Sequence, residues 1–305
     1  MFPHLWIPIT LIASCAQTAR NATQASLTAT LGPVGSAQVR FLYGLPFALL
    51  FLAAQLAASR EALPAIGTKT ALFALVGASA QILATVLMLA AMQMKSFAVT
   101  TATTKTEPVL VAIFGVVMLG DRPSLVAWAA ILIATAGVII MSLRPARTMS
   151  GGGLLDRGGA PAIVMGVMSG GCFAIAAICF RGAILALPEA SLHLRATLVL
   201  VLGLGMQTLM LLAYLTAFDR PALFKSFSVW QVSLGAGFFG ALASQFWFLG
   251  FALTSAANVR TLALVEVLLA QIVQGRMFAQ HGTRQDLIGM ALIVVGAGAL
   301  IVATA

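Results

Sequence analysis

Long apolar stretches recur along almost the entire chain, and this recurrence restricts the fold more than any other feature of the sequence. A helix needs about 20 mostly apolar residues to cross the hydrocarbon core of a bilayer. Hydrophobic residues make up 61% of the chain and charged residues only 8%, against about 45–50% and about 25% in soluble domains. We therefore predict an all-α integral membrane protein that crosses the bilayer many times.

Ten candidate spanning segments are separated by short stretches that contain glycine, proline or charged residues. They are Leu5–Thr28, Pro33–Ala58, Thr70–Gln93, Phe97–Leu119, Leu125–Leu143, Ala160–Leu185, Ser191–Phe218, Val229–Leu253, Val259–Ala279 and Leu287–Thr304. The polar, glycine-rich stretch between the fifth and sixth segments is typical of a flexible linker. We predict a first five-helix repeat at residues 1–143, a linker at 144–159 and a second five-helix repeat at 160–305.

A shift of 159 residues aligns the two halves of the chain. It pairs Glu107 with Glu266 without a gap, and Gly137 with Gly296. The glutamate pair is the informative match, because carboxylates are rare inside membrane segments. An odd number of helices in each half places the halves in opposite orientations. Inverted repeats with polar residues at their interface are the architecture of many secondary transporters.

Charged and polar residues inside the predicted segments are candidates for binding a substrate or a coupling ion. A charge at the bilayer centre costs roughly 2.5–3.5 kcal/mol on insertion scales, so we expect these side chains to face the interior of the bundle. The candidates are Glu107, Glu266, Arg40, Arg195, Arg20, Asn21, Gln17, Gln24, Lys105 and Trp247.

The first segment carries a polar stripe at positions 14, 17, 20, 21, 24 and 28. This spacing places the polar side chains on one face of a helix. We predict that Arg20 and Asn21 on this face line a central cavity shared with Arg40 and Glu107. The alternative is a structural seam between helices.

The two glutamates also have two interpretations. In the functional one, Glu107 and Glu266 take up and release protons beside the cavity, while arginines hold the carboxylate of a substrate through their planar fork. In the structural one, Glu107 with Arg40 and Glu266 with Arg195 form fixed ion pairs, one in each half. Lys105 precedes Glu107 by two residues, so we expect it to point to a different face of the helix.

Several classes of function have no signature in the sequence. There is no GxxxxGK[ST] motif for ATP, and there is neither HExxH nor G-x-S-x-G. The three histidines, His4, His193 and His281, are scattered at segment ends. We expect no enzyme activity, no cofactor and no metal, with an intramembrane enzyme and a non-transporting membrane sensor as rivals. The net charge is +9, but the sequence has no dense basic cluster of the kind found in nucleic-acid-binding proteins. We therefore expect no nucleic-acid partner.

Two stretches resemble the drug/metabolite transporter superfamily, specifically its ten-helix EamA-type members. One is EPVLVAIFGVVMLGDRPSLVAWAAILIATAGVII, Glu107–Ile140, and the other is RFLYGLPFALL, Arg40–Leu50. The second half repeats the plan more loosely over Leu264–Val302, where Gly120–Asp121 becomes Ala279–Gln280. The resemblance implies a transporter that moves amino acids, other metabolites or drugs, mostly outward.

Together, these observations predict a secondary active exporter of small amino-acid-like or carboxylated metabolites, working by alternating access, with the proton as a candidate coupling ion. Multidrug or lipophilic-cation efflux is the alternative; the excess of intramembrane cations over acids favours the first. The expected partners are a small-molecule substrate and the lipid bilayer, and both a monomer and a homodimer remain open. We expect a multi-pass protein of the bacterial inner (plasma) membrane. The resemblance implies cytoplasmic termini, whereas the loop arginines and lysines favour the reverse orientation.

Near the end of the sixth segment, Arg181 is expected to extend its charge to the membrane surface.

Overall fold

The computed structural model describes residues 4–94, 103–142, 159–268 and 284–303, and all regular secondary structure in these ranges is helical. The helices are α1 (Trp6–Ser59), α2 (Thr68–Met94), α3 (Glu107–Phe114), α4 (Leu125–Ser142), α5 (Gly159–Leu185), α6 (Leu192–Phe218), α7 (Arg220–Ser228), α8 (Trp230–Leu253), α9 (Ala256–Leu262) and α10 (Arg284–Ala303). A π-helical segment, Gly115–Leu119, continues α3. The predicted linker lies outside the described residues, except for Gly159, where α5 begins. The start of the fourth predicted segment and the end of the ninth also lie outside the described residues.

Over the part of the chain that the structure describes, five helices are long and apolar enough to cross a membrane. They span Trp6–Ser59, Thr68–Met94, Pro161–Leu185, Leu192–Phe218 and Trp230–Leu253. Shorter apolar helices cover Glu107–Leu119, Leu125–Ile140 and Leu287–Ala303. The prediction of an all-α protein is confirmed over the described residues, and the count of ten spans stays a prediction.

Helix α1 is divided by a sharp bend at Gly32, where φ is 68° and ψ is 174°. Glycine adopts this positive φ without the steric cost of a Cβ atom. In a continuous helix, residues 24 and 36 would lie about 18 Å apart. Instead, the Gln24 amide donates to the Ser36 carbonyl at 3.1 Å, and the Ser36 hydroxyl donates to the Gln24 carbonyl at 2.8 Å. The bend therefore separates a first arm (residues 6–31) from a second arm (33–59), where the sequence predicts two segments.

The chain also breaks its helical path immediately before Glu107. Residues 105–106 form a turn, and α3 begins at the next residue. Pro108 explains this start, because it has no N–H to donate to the preceding helical turn and suits the first positions of a helix. The prediction of one continuous helix over Phe97–Leu119 is therefore wrong at this point.

A second break lies two residues before Glu266. Residues 263–264 form a turn after α9. No proline is present; instead, the amides of Leu264 and Glu266 donate to carbonyls three residues earlier, at 3.1 and 3.0 Å. Such tightened backbone hydrogen bonding inside a helix often marks a hinge or a sequence under strain. The prediction of a continuous helix over Val259–Ala279 is wrong here.

The helices pack in three main pairs, α1 with α8, α2 with α5, and α4 with α10. Glycines allow the last pair to approach closely. A Cβ atom at Gly137 of α4 would lie 2.6 Å from the Gly289 carbonyl oxygen, and one at Gly296 of α10 would lie 2.7 Å from Cβ of Ala134. Small residues at helix contacts are the usual means of close packing in membranes.

Replacing Gly296 with alanine is expected to lower stability by about 1–3 kcal/mol, because the new methyl group overpacks the α4–α10 contact. Gly298 lies two residues further along α10, and a Cβ atom there would have no neighbouring atom within 4 Å. Gly298→Ala is therefore the matched control, with an expected change within about 0.5 kcal/mol. Thermal unfolding midpoints in detergent compare the two variants, and equal midpoints would contradict the close packing of α4 with α10.

Candidate functional site

Five charged side chains from both halves of the chain lie together in the protein interior. We call them the central charged cluster: Arg20, Lys105, Glu107, Arg260 and Glu266. Each residue is between 2% and 8% exposed. Arg20 lies on the first arm of α1 and Arg260 lies on α9. Lys105, Glu107 and Glu266 lie at or beside the two helix breaks. Interrupted helices thus carry most of the charge into the centre of the bundle.

Arg260 and Glu107 form one ion pair of this cluster. Nε of Arg260 lies 3.0 Å from Oε1 of Glu107. The guanidinium carbon lies 4.5 Å from the ring centroid of Trp247 and 5.4 Å from that of Phe251, within the range of cation–π attraction. Glu107 is the first residue of α3, where the helix dipole favours a carboxylate. The arginine is therefore held by a carboxylate and two aromatic faces.

Lys105 and Glu266 form the second ion pair, and both side chains are about nine-tenths buried. Lys105 belongs to the first half of the chain and Glu266 to the second, so both ion pairs of the cluster cross between the halves. The expectation that Lys105 points away from Glu107 is wrong: both side chains line the same cavity, because the turn at residues 105–106 interrupts the helical spacing.

Neither arginine predicted to pair with a glutamate makes that contact. Arg40 is 1% exposed and donates to the hydroxyls of Thr85 at 3.3 Å and Ser244 at 3.4 Å. Arg195 lies half-buried near the start of α6. The predicted pairings of Arg40 with the first glutamate and Arg195 with the second are therefore wrong. The helix breaks bring other cations beside the carboxylates, and those cations form the pairs.

The polar stripe of the first arm divides into two parts. Nε and Nη2 of Arg20 donate to Oδ1 of Asn21 at 3.1 and 2.6 Å, and Gln17 accepts a 3.0 Å hydrogen bond from the indole N–H of Trp247. These residues belong to the centre of the protein. Gln24 instead joins the two arms of α1 through Ser36, so its role matches the structural seam.

A small polar cavity lies within the cluster, with a volume of about 30 Å³. It is lined by Gln17, Arg20, Asn21, Met88, Thr104, Lys105, Glu107, Phe173, Arg260 and Glu266. Six of the ten predicted site residues line it, Trp247 contacts it through Gln17, and Arg40, Arg195 and Gln24 do not line it. The volume suits one or two water molecules, so the lining side chains must move before a metabolite can enter.

Positive charge exceeds negative charge around this cavity. Of the eight aspartates and glutamates in the sequence, six have described side chains. Two belong to the cluster, and the other four are Glu61, Asp121, Glu189 and Asp219, which lie at helix ends or in loops. Among the described residues, no carboxylate forms an ion pair with Arg20 or Arg40. Arg20 and Arg40 are therefore buried cations that form no ion pair with any of the six described carboxylates.

Comparison with known proteins identifies the first half of the chain. Residues 5–143 match the EamA-like transporter family. This part of the chain is similar to EamA-like transporters. This confirms the resemblance predicted from Glu107–Ile140 and Arg40–Leu50. EamA-like proteins are membrane transporters of the drug/metabolite type, so the match points to an integral membrane transporter.

The fold has a solved counterpart. A structure titled "Crystal structure of protein" covers 96% of this chain and 95% of its own, with 17% sequence identity and a TM-score of 0.71. At this identity the similarity shows a shared fold alone. No curated protein matches the sequence.

Arg260 is the charged residue of the cavity that the sequence did not predict. The predicted ninth segment begins at Val259, which assigns Arg260 to a membrane end. In the structure, Ser255 caps α9 through its hydroxyl oxygen, and Arg260 lies 8% exposed beside Glu107. The signal that could have found it was an arginine in an apolar run, six residues before Glu266.

Arg181 forms an ion pair with Asp121, and the expected extension of its charge to the membrane surface stays a prediction. Its Nη1 donates to both carboxylate oxygens of Asp121, at 2.7 and 2.9 Å, and its Nε donates to the carbonyls of Phe251 and Thr254 at 3.3 and 3.2 Å. Asp121 follows the π-helical segment of the EamA-like half, and the two carbonyls end α8. Arg181 thus forms a third ion pair between the halves, away from the cavity.

Proposed function

We propose that this protein is a secondary active transporter that exports small amino-acid-like or carboxylated metabolites across the plasma (inner) membrane. It works by alternating access between two inverted five-helix repeats, residues 1–143 and 160–305. The observation that carries the proposal is the crossing of the two ion pairs, Arg260–Glu107 and Lys105–Glu266, between the halves around one polar cavity. In alternating access the repeats move against each other around a site at their interface. Ion pairs that span this interface must separate or exchange partners during the movement.

The packing of the helices supports inverted repeats. If the first arm corresponds to α5, α2 to α8 and α4 to α10, then the Gln17–Trp247 hydrogen bond between the first arm and α8 is the counterpart of the packing of α5 against α2. Exchanging the two halves turns the α4–α10 contact into itself, because α4 and α10 correspond to each other. The two close-packed glycines of this contact, Gly137 and Gly296, are related by the 159-residue shift. The helix breaks beside Glu107 and Glu266 also correspond. Interrupted helices at a repeat interface are typical of transporter binding sites.

The charge of the interior favours a carboxylate-bearing substrate. Arg20 and Arg40 are buried without a carboxylate partner among the described side chains, and the guanidinium fork matches a carboxylate. Both cluster glutamates are already paired with cations, which disfavours the alternative cargo, a lipophilic cation. The same glutamates are the candidate groups for proton coupling, because a partner exchange would alter their environment.

The direct test is a compound panel followed by flux measurements. We expect carboxylated metabolites to raise the thermal unfolding midpoint of the detergent-purified protein and to exchange across proteoliposomes, with protein-free liposomes as the control. Stabilisation and flux with lipophilic cations alone would support the efflux alternative. A broad panel with neither a stabilising ligand nor flux would contradict transport.

A further inference from the structure

We infer that the transported species carries a net negative charge and that Arg20 is the residue that anchors its carboxylate. This inference rests on the proposed transport function and selects one class among its substrates. It assigns the site to organic anions such as 2-hydroxy acids and 2-oxo acids, in preference to zwitterionic amino acids.

Arg20 differs from the other two cations that line the cavity. Lys105 and Arg260 each form an ion pair with a cluster glutamate. Arg20 is 2% exposed, and its hydrogen bonds in the described structure, from Nε and Nη2, both go to the single Oδ1 atom of Asn21. A guanidinium has five N–H donors, so Arg20 keeps donors for a carboxylate in the cavity that it lines.

A second arginine strengthens the positive field at this point. A Cβ atom at Gly240 of α8 would lie 3.0 Å from Cγ of Arg40 and 3.6 Å from Cδ of Arg20. The two arginines are therefore neighbours across a glycine that leaves room for both. Arg40 does not line the cavity and is held by hydroxyl groups. It adds charge behind Arg20 without occupying the position of a ligand.

Charge balance then selects the substrate class. The cavity is lined by three cations, Arg20, Lys105 and Arg260, and by two carboxylates. A buried charge without a partner is costly, and one organic monoanion makes this lining electrically neutral. A zwitterion leaves the excess unchanged, and its ammonium group must compete with Lys105 or Arg260 for a glutamate. A monoanion therefore fits the lining better than an amino acid of the same size.

Matched compounds that share a carbon skeleton test this inference with the unaltered protein. Each set holds a 2-hydroxy acid (charge −1), the corresponding 2-amino acid (charge 0) and the 2-amino amide (charge +1), with small, branched and aromatic skeletons. In proteoliposome counterflow we expect the 2-hydroxy acid to exchange with an apparent affinity about tenfold or more above that of the amino acid, because the ammonium group of the amino acid adds a buried charge while both cavity glutamates are already paired. Equal or better exchange of the amino acid would overturn the inference while leaving the transport function intact. No exchange of any compound would contradict the transport function itself.

Variants of Arg20 test the anchor. Arg20→Gln is expected to weaken exchange of the 2-hydroxy acid about tenfold to a hundredfold and to abolish its advantage over the amino acid. Arg20→Lys keeps the charge without the planar fork, so an intermediate loss is expected. Arg220→Gln is the matched control, because Arg220 is exposed and donates to the Thr216 carbonyl. A preserved preference for the anion in a folded Arg20→Gln protein would overturn the assignment.

Discussion

Replacing Arg260 with methionine is expected to destabilise the protein by about 3–5 kcal/mol, because Glu107 would stay buried without its cation. The two residues are 8% and 6% exposed, so water cannot easily replace the lost partner. Methionine is unbranched and adaptable in shape, which limits the change in packing. The lost stacking on Trp247 adds to the effect by about 0.5–2 kcal/mol. Unfolding of the detergent-solubilised protein measures the loss.

A double variant separates two causes of the lost stability, the unpaired charge of Glu107 and the missing side chain of Arg260. Combining Glu107→Gln with Arg260→Met removes both charges, so we expect most of the lost stability to return. Substrate flux should not return, because the ion pair between the halves is still missing. Arg220→Met is the control at an exposed position, with a change within about 0.5 kcal/mol. If Arg260→Met destabilises no more than this control, the buried pair does not hold the halves together as the geometry indicates.

The sequence predicts the helical framework because apolar length is a local property. Both the separation of the first two segments and the start of α3 leave signals in the sequence. The first is the Gly32–Pro33 pair, and the second is Pro108, which has no N–H. The break at residues 263–264 leaves none, since it arises from a change in backbone hydrogen bonding among ordinary apolar residues. Only the folded structure shows that both glutamates follow interrupted helices.

The residues of the central charged cluster also divide into those with a local sequence signal and those without one. Glu107 and Glu266 stand out in the sequence because a carboxylate in an apolar segment is costly. Their partners do not, because the 159-residue shift aligns Lys105 with Leu264 and Arg260 with Thr101. The two cations have no counterparts in the other half. Duplication therefore predicts the acids, and the choice of partner depends on tertiary contacts that no local pattern encodes.

The stripe on the first arm shows a similar limit. Its helical spacing correctly groups Gln17, Arg20 and Gln24 on one face. The bend at Gly32 then brings Ser36 of the second arm against Gln24, which leaves the other two for the centre of the protein. Periodicity identifies the face that avoids lipid, and the bend decides how much of that face reaches the cavity.

Replacing Glu266 with glutamine is expected to uncouple transport from the proton gradient. Glutamine keeps the shape of the side chain and can still accept a hydrogen bond from Lys105, but it cannot bind or release a proton or neutralise the ammonium group. We expect substrate exchange without a gradient to persist, and net flux driven by a pH gradient to fall about tenfold to a hundredfold. Glu107→Gln should act in the same direction through Arg260. Counterflow and gradient-driven flux in proteoliposomes measure the two activities separately.

Glu189→Gln removes an equal charge from an exposed position and should leave both activities unchanged. The comparison discriminates between a coupling group and a fixed ion pair. If the pairs only hold the halves together, both glutamine variants lose stability and keep the pH dependence of the remaining flux. If the glutamates exchange partners as the repeats move, the pH dependence itself changes, because the neutral amide presents the same charge in both states. Normal flux with an unchanged pH profile in both folded variants would therefore exclude proton coupling through this cluster.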